Sequence, residues 1–241
     1  VAEENPLVKV SCVNSAPMAI ARAADAVLTT IYEQWRLNLV AHLVIAGGRS
    51  GADLAAVIAA GLKKPRPKVL HLWFADERFV EYSDSYRNDT PIIKVLGSVG
   101  CTLIVHRYGT PSQDTFLAAA QRYAAELAAA LGDEPFTTVV LSMGEDGHIA
   151  SIFPNRDEFS GDVLTVDDAP KMPLLRISLS LNRLATTYEC ILLAIGESKL
   201  PAIQALLRKD PALPATLLAR RTPIMLITDQ PIGNYEDASL R

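Results

Sequence analysis

The feature that most constrains the fold is an alternation between short apolar runs and longer Ala-rich stretches with helical spacing. Leu7 to Val13 (L-V-K-V-S-C-V) reads as a first strand, and Met18 to about Leu39 as a helix with Pro17 near its start. Ala41 to Ala46 (A-H-L-V-I-A) is a second buried strand. Helical periodicity resumes from Asp53 to Leu62, and Lys63 to Lys68 (K-K-P-R-P-K) breaks it. Val69 to Phe74 (V-L-H-L-W-F) predicts a third strand, Asn88 to Leu96 a short helix, and Thr102 to Val105 another strand. Ser112 to Leu131 is a long helical pattern stopped by Gly132. Phe136 to Leu141 (F-T-T-V-V-L), Cys190 to Ile195 (C-I-L-L-A-I) and Ile224 to Thr228 (I-M-L-I-T) complete the apolar runs, with helices predicted over 199–207 and 215–219. Arg176 to Leu181 (R-I-S-L-S-L) alternates as a half-buried strand does, and Val163 to Val166 reads as an edge strand within an irregular stretch, 155–173.

Strands this apolar need cover on both faces, and intervening helices provide it. The expected class is α/β, with a doubly wound, mostly parallel, Rossmann-like sheet flanked by helices. No repeat, linker or shift of composition divides residues 1–241, so a single domain is expected.

In a parallel sheet the carboxyl ends of the strands share one edge, where ligands bind. Four of these ends carry polar punctuation. After Phe136–Leu141 come Ser142-Met143-Gly144-Glu145-Asp146-Gly147-His148, just where a short helical pattern can begin. Asp146 and His148 stand two apart in a Gly-broken turn, so the carboxylate can hold the imidazole in one tautomer and prepare a general base. The plainer alternative is a capping Asp beside a surface His. Glu145, adjacent in the turn, is expected to point elsewhere.

Gly47-Gly48-Arg49-Ser50-Gly51 lies between a strand and a helix. Glycines admit an anion close to the backbone, and a helix N-terminus offers free N–H groups. The pattern is neither G-x-G-x-x-G nor a Walker loop, so it suits a small phosphorylated ligand, or else is simply a tight turn. Asp76-Glu77-Arg78 ends the third strand. These charges solvate a loop or pair with one another, or Asp76 accepts from a ligand hydroxyl or sets the geometry of Arg78. Asn88 opens a helical pattern and reads as a plain N-cap. Lys199, in the first turn of a helix, opposes the helix dipole, which suits a cation facing an anion as well as an exposed lysine. Arg176 begins its strand as a further cation.

His42, His71 and His106 lie in or beside strand runs and read as core histidines. No His or Cys cluster has ligand spacing, so no metal site is expected. The net charge of −4 argues against a broad nucleic-acid surface. No stretch approaches a membrane span, and V-A-E-E-N-P lacks the layout of a signal peptide. Cys12, Cys101 and Cys190 lie far apart in or beside apolar runs and read as buried reduced thiols, which fits a cytoplasmic setting.

Taken in order, these loops resemble the 6-phosphogluconolactonases of the pentose phosphate pathway. The resemblance rests on G-G-R at 47–49, D-E-R-F-V at 76–80, Asn88, M-G-E-D-G-H-I-A-S-I-F-P at 143–154, R-I-S-L-S-L at 176–181 and G-E-S-K at 196–199. The wider sugar-phosphate group includes glucosamine-6-phosphate deaminase, whose D-G-H turn typically continues into F-N-E-P with a Glu in its relay. Here Ser151-Ile152-Phe153-Pro154 follow instead. Family members often have Thr-Pro where Ser50-Gly51 stand, Pro where Glu81 stands and Ser where Arg87 stands.

The resemblance implies a fold of the sugar-phosphate isomerase/lactonase type and hydrolysis of 6-phospho-D-glucono-1,5-lactone to 6-phospho-D-gluconate. His148 would be the general base and Asp146 its orienting partner. Gly47, Gly48, Arg49, Asp76, Arg78, Asn88, Arg176 and Lys199 would bind the phosphorylated sugar lactone, with no cofactor. A monomer is expected, a dimer being the alternative. The rival functions are a deaminase-like isomerase and a non-enzymatic sugar-phosphate-binding protein.

Overall fold

The computed structural model describes residues 8–37, 40–65, 67–156 and 161–232. Leu7, Leu39, Arg66 and part of the irregular 155–173 stretch, all included in the expectations above, lie outside the described residues. In chain order the elements begin with β1 (Val8–Cys12), α1 (Ala16–Arg36), β2 (Ala41–Ile45), α2 (Gly48–Gly61), β3 (Val69–Phe74) and β4 (Asp76–Arg78). Then come α3 (Asp89–Leu96), β5 (Thr102–Val105), α4 (Phe116–Ala130), β6 (Thr138–Ser142), β7 (Val163–Val166) and β8 (Arg176–Leu179). The last are α5 (Leu181–Ala185), β9 (Cys190–Ala194), a 3-10 turn (Glu197–Lys199), α6 (Leu200–Leu207), α7 (Pro214–Ala219) and β10 (Ile224–Thr228).

Seven strands form one sheet in the order β1-β10-β9-β6-β2-β3-β5, and every neighbouring pair is parallel. Every residue of β2 and β9 is buried, as a continuous apolar run in a covered parallel sheet requires. At the edge, β5 alternates between exposed and half-buried positions. The buried stripe of α1 runs Ala19, Ile20, Ala23, Ala24, Val27, Ile31 and Trp35, its alanines allowing close packing. The mostly parallel α/β sheet flanked by helices is therefore the expected class. More to the point, β9, β6, β2 and β3 are adjacent in that order, so the carboxyl ends carrying the four polar loops lie side by side.

Several expectations are corrected. Asp76-Glu77-Arg78 is not a loop but strand β4, paired antiparallel with β8, and β7 completes a second, three-stranded sheet. The alternation of 176–181 ends at Leu179, because the Ser180 side chain accepts from Arg183 N at 3.2 Å and caps α5. Helix α2 starts at Gly48 rather than Asp53, so the glycine loop is itself the first helical turn. Helix α4 starts at Phe116, where Thr115 Oγ1 accepts from Ala118 N at 3.3 Å, and Ser112 to Asp114 stay outside it. Of the cysteines only Cys190 is buried; Cys101 is half-buried, and Cys12, closing edge strand β1, is exposed.

Two fully buried tyrosines fix the end of β3, from which the site hangs. Tyr108 and Tyr123 each donate to Phe74 O, at 3.2 and 3.3 Å, and Phe74 N donates to Tyr123 Oη at 2.9 Å. Burial pushes both phenols well above their ordinary range, so they stay neutral.

Candidate active site

The turn after β6 is closed by Gly144 N donating to His148 O at 2.8 Å and Gly147 N donating to Gly144 O at 3.1 Å. Gly147 has φ +85°, which favours glycine. Within this turn Asp146 Oδ1 lies 2.6 Å from His148 Nδ1 and accepts from His148 N at 3.2 Å. Burial works to raise the Asp146 pKa, but the hydrogen bonds and charge of His148 outweigh it and hold the carboxyl below its usual range. With Nδ1 engaged, Nε2 is the ring nitrogen left without a partner among the described residues. The His148 side chain is 32% exposed, so water can reach it. A side chain on Gly144 would run into both the His148 ring and Asp146. Glycine is therefore needed there for close approach.

The residues beyond His148 do not continue as the expected short helix. Ala150 takes φ +49°, and Ile149 and Ile152 exchange backbone hydrogen bonds of 3.3 and 2.9 Å, closing a second tight turn. That turn delivers Phe153 to the imidazole, with ring centroids 5.1 Å apart. It also delivers Ser151, whose Oγ donates to Asp76 Oδ2 at 2.6 Å and whose N donates to Ser178 Oγ at 3.2 Å. The central turn is thus stitched to β4 and β8. Ser151 and Phe153 of the S-I-F-P run thus join the candidate site, with no signal in the sequence that assigns either a role there. Glu145 is exposed and outside the pair.

On β4 the partner of Asp76 is Ser151, whereas Arg78 Nη1 donates to Tyr86 O at 2.8 Å and Asn88 Oδ1 at 3.0 Å. No hydrogen bond joins Asp76 to Arg78. Among the described residues, Arg78 Nε is buried without a hydrogen-bond partner. Arg78 stands opposite Arg176 in the antiparallel register. Arg176 is buried and donates to Pro173 O and Lys171 O at 3.2 and 2.9 Å. Burial, then the neighbouring Arg78 charge, lowers its pKa against the pull of Asp76 and Glu77. Its guanidinium carbon is 5.9 Å from the Phe153 ring centroid. Phe153 thus lies between His148 and Arg176, and strand pairing sets Arg176 beside Arg78, which bonds Asn88.

Asn88 is not the plain N-cap expected. Its side chain makes no capping bond to α3; it accepts from Arg78 instead. It also lies so close to Gly47 that a Cβ there would overlap it, which explains this glycine. Gly47 caps α2 without a side-chain bond, Gly48 has φ +82° with open space before it, and Arg49 is exposed. Lys199 ends the 3-10 turn and precedes α6, not within the first α-helical turn as expected, and is half-buried. Strand order sets Lys199, His148 with Asp146, Gly47 to Arg49, and Asp76 with Arg78 along one edge.

Residues 14–226 match the family model for glucosamine-6-phosphate isomerases/6-phosphogluconolactonase. A 6-phosphogluconolactonase of Streptomyces coelicolor is 34% identical over 197 residues, covering 75% of this chain and 76% of its own length. One of Mycobacterium tuberculosis is 34% identical over 177 residues, covering 68% and 72%. Among solved structures, a 6-phosphogluconolactonase of Thermotoga maritima superposes with a TM-score of 0.77 at 22% identity, over 92% of this chain and 99% of that one. One of Trypanosoma cruzi gives 0.78 at 19% identity over 95% and 96%, and at such identities the likeness is one of fold. The family model spans the glycine loop, the Asp–His turn and every cation described above, and the chain belongs to the glucosamine-6-phosphate isomerase/6-phosphogluconolactonase family.

Proposed function

We propose that this protein is a lactonase that hydrolyses 6-phospho-D-glucono-1,5-lactone to 6-phospho-D-gluconate, with His148 as general base. The observation that carries this reading is the 2.6 Å contact between Asp146 Oδ1 and His148 Nδ1, which leaves Nε2 for chemistry. Water loses a proton to Nε2 as its oxygen attacks the lactone carbonyl. The same nitrogen returns the proton to the ring oxygen when the C–O bond breaks. Asp146 keeps the imidazole in the required tautomer and stabilises the imidazolium between the two steps. A lactone is an activated ester, so the reaction needs no covalent nucleophile.

The substrate's phosphate is the reason for the cations. The open N-terminus of α2 at Gly47 and Gly48, with Arg49 and Lys199, presents donors suited to a dianion. Arg176 adds positive charge beneath Phe153. Arg78, with an unpartnered Nε, stabilises the oxyanion that develops on the carbonyl oxygen. Asp76 has one carboxylate oxygen engaged by Ser151 and accepts from a sugar hydroxyl with the other. Holding both ends of the substrate turns phosphate affinity into orientation at the carbonyl.

The deaminase-like reading is disfavoured at a definite place. Ser151 and Phe153 stand after the Asp–His turn, and neither brings a carboxylate to the imidazole. The deciding experiment follows acid release from freshly generated lactone above its spontaneous rate, with ammonia release from glucosamine 6-phosphate as the counter-assay. Enzyme-dependent acid release without ammonia is expected. Ammonia release, or acid release no faster than the blank, would overturn the proposal.

A further inference from the structure

Behind Arg78 and Asn88 lies a buried charge cluster that the proposed chemistry does not use. Glu77 alternates with Asp76 and Arg78 along β4, so its side chain leaves on the other side of the strand. It is 1% exposed. Its carboxylate accepts from Arg78 N at 2.8 Å, from Asn88 N at 2.9 and 3.0 Å, and from Asp89 N at 2.8 Å. Asn88 N and Asp89 N belong to the opening of α3, where a carboxylate is favoured by free donors and by the dipole. An asparagine in the N-cap place ordinarily supplies the capping oxygen itself. Glu77 takes the N–H groups of Asn88 and Asp89, Pro91 offers no donor at the third helical position, and the Asn88 carboxamide turns to the Arg78 guanidinium instead.

The buried carboxylate is balanced rather than isolated. Arg87, whose side chain is fully buried, brings Nε to 3.5 Å from Glu77 Oε2. The same guanidinium donates to Asp89 Oδ2 at 3.2 and 3.0 Å and to the carbonyls of Val80 and Tyr108 at 3.0 and 2.6 Å. Arg107 adds two bonds of 2.9 Å to Asp89. Two acids and two arginines thus clamp the segment that carries Arg78 and Asn88 against the 107–109 strand exit. Burial, then the Asp89 charge, pushes the Glu77 carboxyl up to about 7 against the pull of Arg87 and the backbone donors. A purely structural cap would not need so costly a group.

We propose that Glu77 is a positioning residue: from strand β4 it holds the backbone N–H groups of Asn88 and Asp89 and so fixes the Asn88 side chain where it holds Arg78 toward the substrate, and Arg87 anchors the assembly. The inference rests on the reading of Arg78 as a substrate-facing group. The test is a double-mutant cycle of Glu77→Gln and Asn88→Ala, run on kcat/KM for the lactone, on calorimetric affinity for 6-phosphogluconate, and on Tm. Glu77→Gln alone should lower kcat/KM by about tenfold, and by no more than about twofold once Asn88 is Ala, because coupled residues do not act additively. The same loss in both backgrounds would overturn the proposal, since a merely structural cap adds independently of Asn88. If Glu77→Gln does not fold, Arg87→Lys takes its place in the cycle with the same expectation and the same overturning result. A wild-type protein that binds 6-phosphogluconate but does not turn over overturns the lactonase reading alone, and the cycle on affinity still decides the role of Glu77. Absence of both binding and turnover overturns both.

Discussion

The molecule carries histidine in two settings, and the contrast shows what suits one of them to the proposed chemistry. His42, His71 and His106 stack on Trp73 against one face of the sheet, with His106 and Trp73 ring centroids 3.5 Å apart and His42 and His71 4.4 Å apart. His71 Nδ1 lies 2.9 Å from His106 Nε2, and His106 Nδ1 lies 3.3 Å from Glu126 Oε2. A carboxylate on the imidazole is therefore not what distinguishes His148, because His106 has one too. The difference is the other nitrogen. In His106 both are engaged inside the protein, whereas in His148 one is held and the other is left to water. Burial and then the neighbouring imidazole lower the pKa of His71, and burial outweighs Glu126 to lower that of His106, so the stack is neutral and structural.

The largest effect that would break this contrast is on turnover. His148→Ala should lower kcat for lactone hydrolysis roughly 10²–10⁴-fold with little change in Tm, the span expected for one general base. His106→Ala should do the reverse, costing about 3 kcal/mol of stability as a buried ring is removed, with kcat of the folded fraction unchanged. Denaturant titration beside the lactone assay reads both. Turnover lost in His106→Ala with normal stability would erase the distinction.

The carboxylate partners give the next step down. In Asp146→Asn an oxygen can still face Nδ1, but the charge that stabilises the imidazolium is gone, so kcat should fall by roughly 10²-fold. Glu126→Gln removes the matching charge beside His106, on a side chain 35% exposed. It should leave kcat alone and change stability by less than about 1 kcal/mol. Equal kinetic losses in the two variants would show that the Asp146 pair holds no special place.

Much of this contrast was legible in the chain, and what was not has definite causes. Continuous apolar runs such as A-H-L-V-I-A identify buried parallel strands, and adjacency of β9, β6, β2 and β3 then brings the polar loops together. Of the histidines read as core residues, His42 and His106 are buried and His71 is half-buried. By contrast, β4 is three charged residues with no apolar alternation, and it is a strand only because β8 pairs with it and buried partners neutralise Glu77. Asn88 reads as a cap because nothing local says that a glutamate from another strand has taken the capping role. The approach of Phe153 to His148 depends on a left-handed Ala150, a conformation the residue type disfavours and hydrogen bonding between Ile149 and Ile152 imposes. Nothing within D-E-R sets Glu77 apart. Its parity along a strand was the available signal, and it becomes visible only once β4 is known to be one.

A dependence on pH separates the two settings by where acid acts. His42 accepts from Trp73 Nε1 at 3.2 Å through Nδ1, so its neutral form is built into the stack. Burial, then the nearby His71, His106 and Arg183, lowers its pKa from 6.5 to about 3. In the window between those values the unfolded chain binds a proton that the folded chain refuses, so stability rises with pH and is lost as pH falls below about 6.5. The slope for one such proton is at most about 1.4 kcal/mol per pH unit. Asp146 has its pKa depressed instead, and its contribution persists until the pH falls below the ordinary aspartate range. Acidification from neutrality should therefore weaken the stack before it protonates the Asp146 carboxyl. His42→Asn keeps an acceptor near the place of Nδ1 and removes the titration. Its Tm should be lower at neutral pH, yet should fall less steeply than wild type between pH 6.5 and 4. An unchanged slope in that variant would mean that the acid sensitivity lies elsewhere and that the stack does not resist protonation as its burial implies.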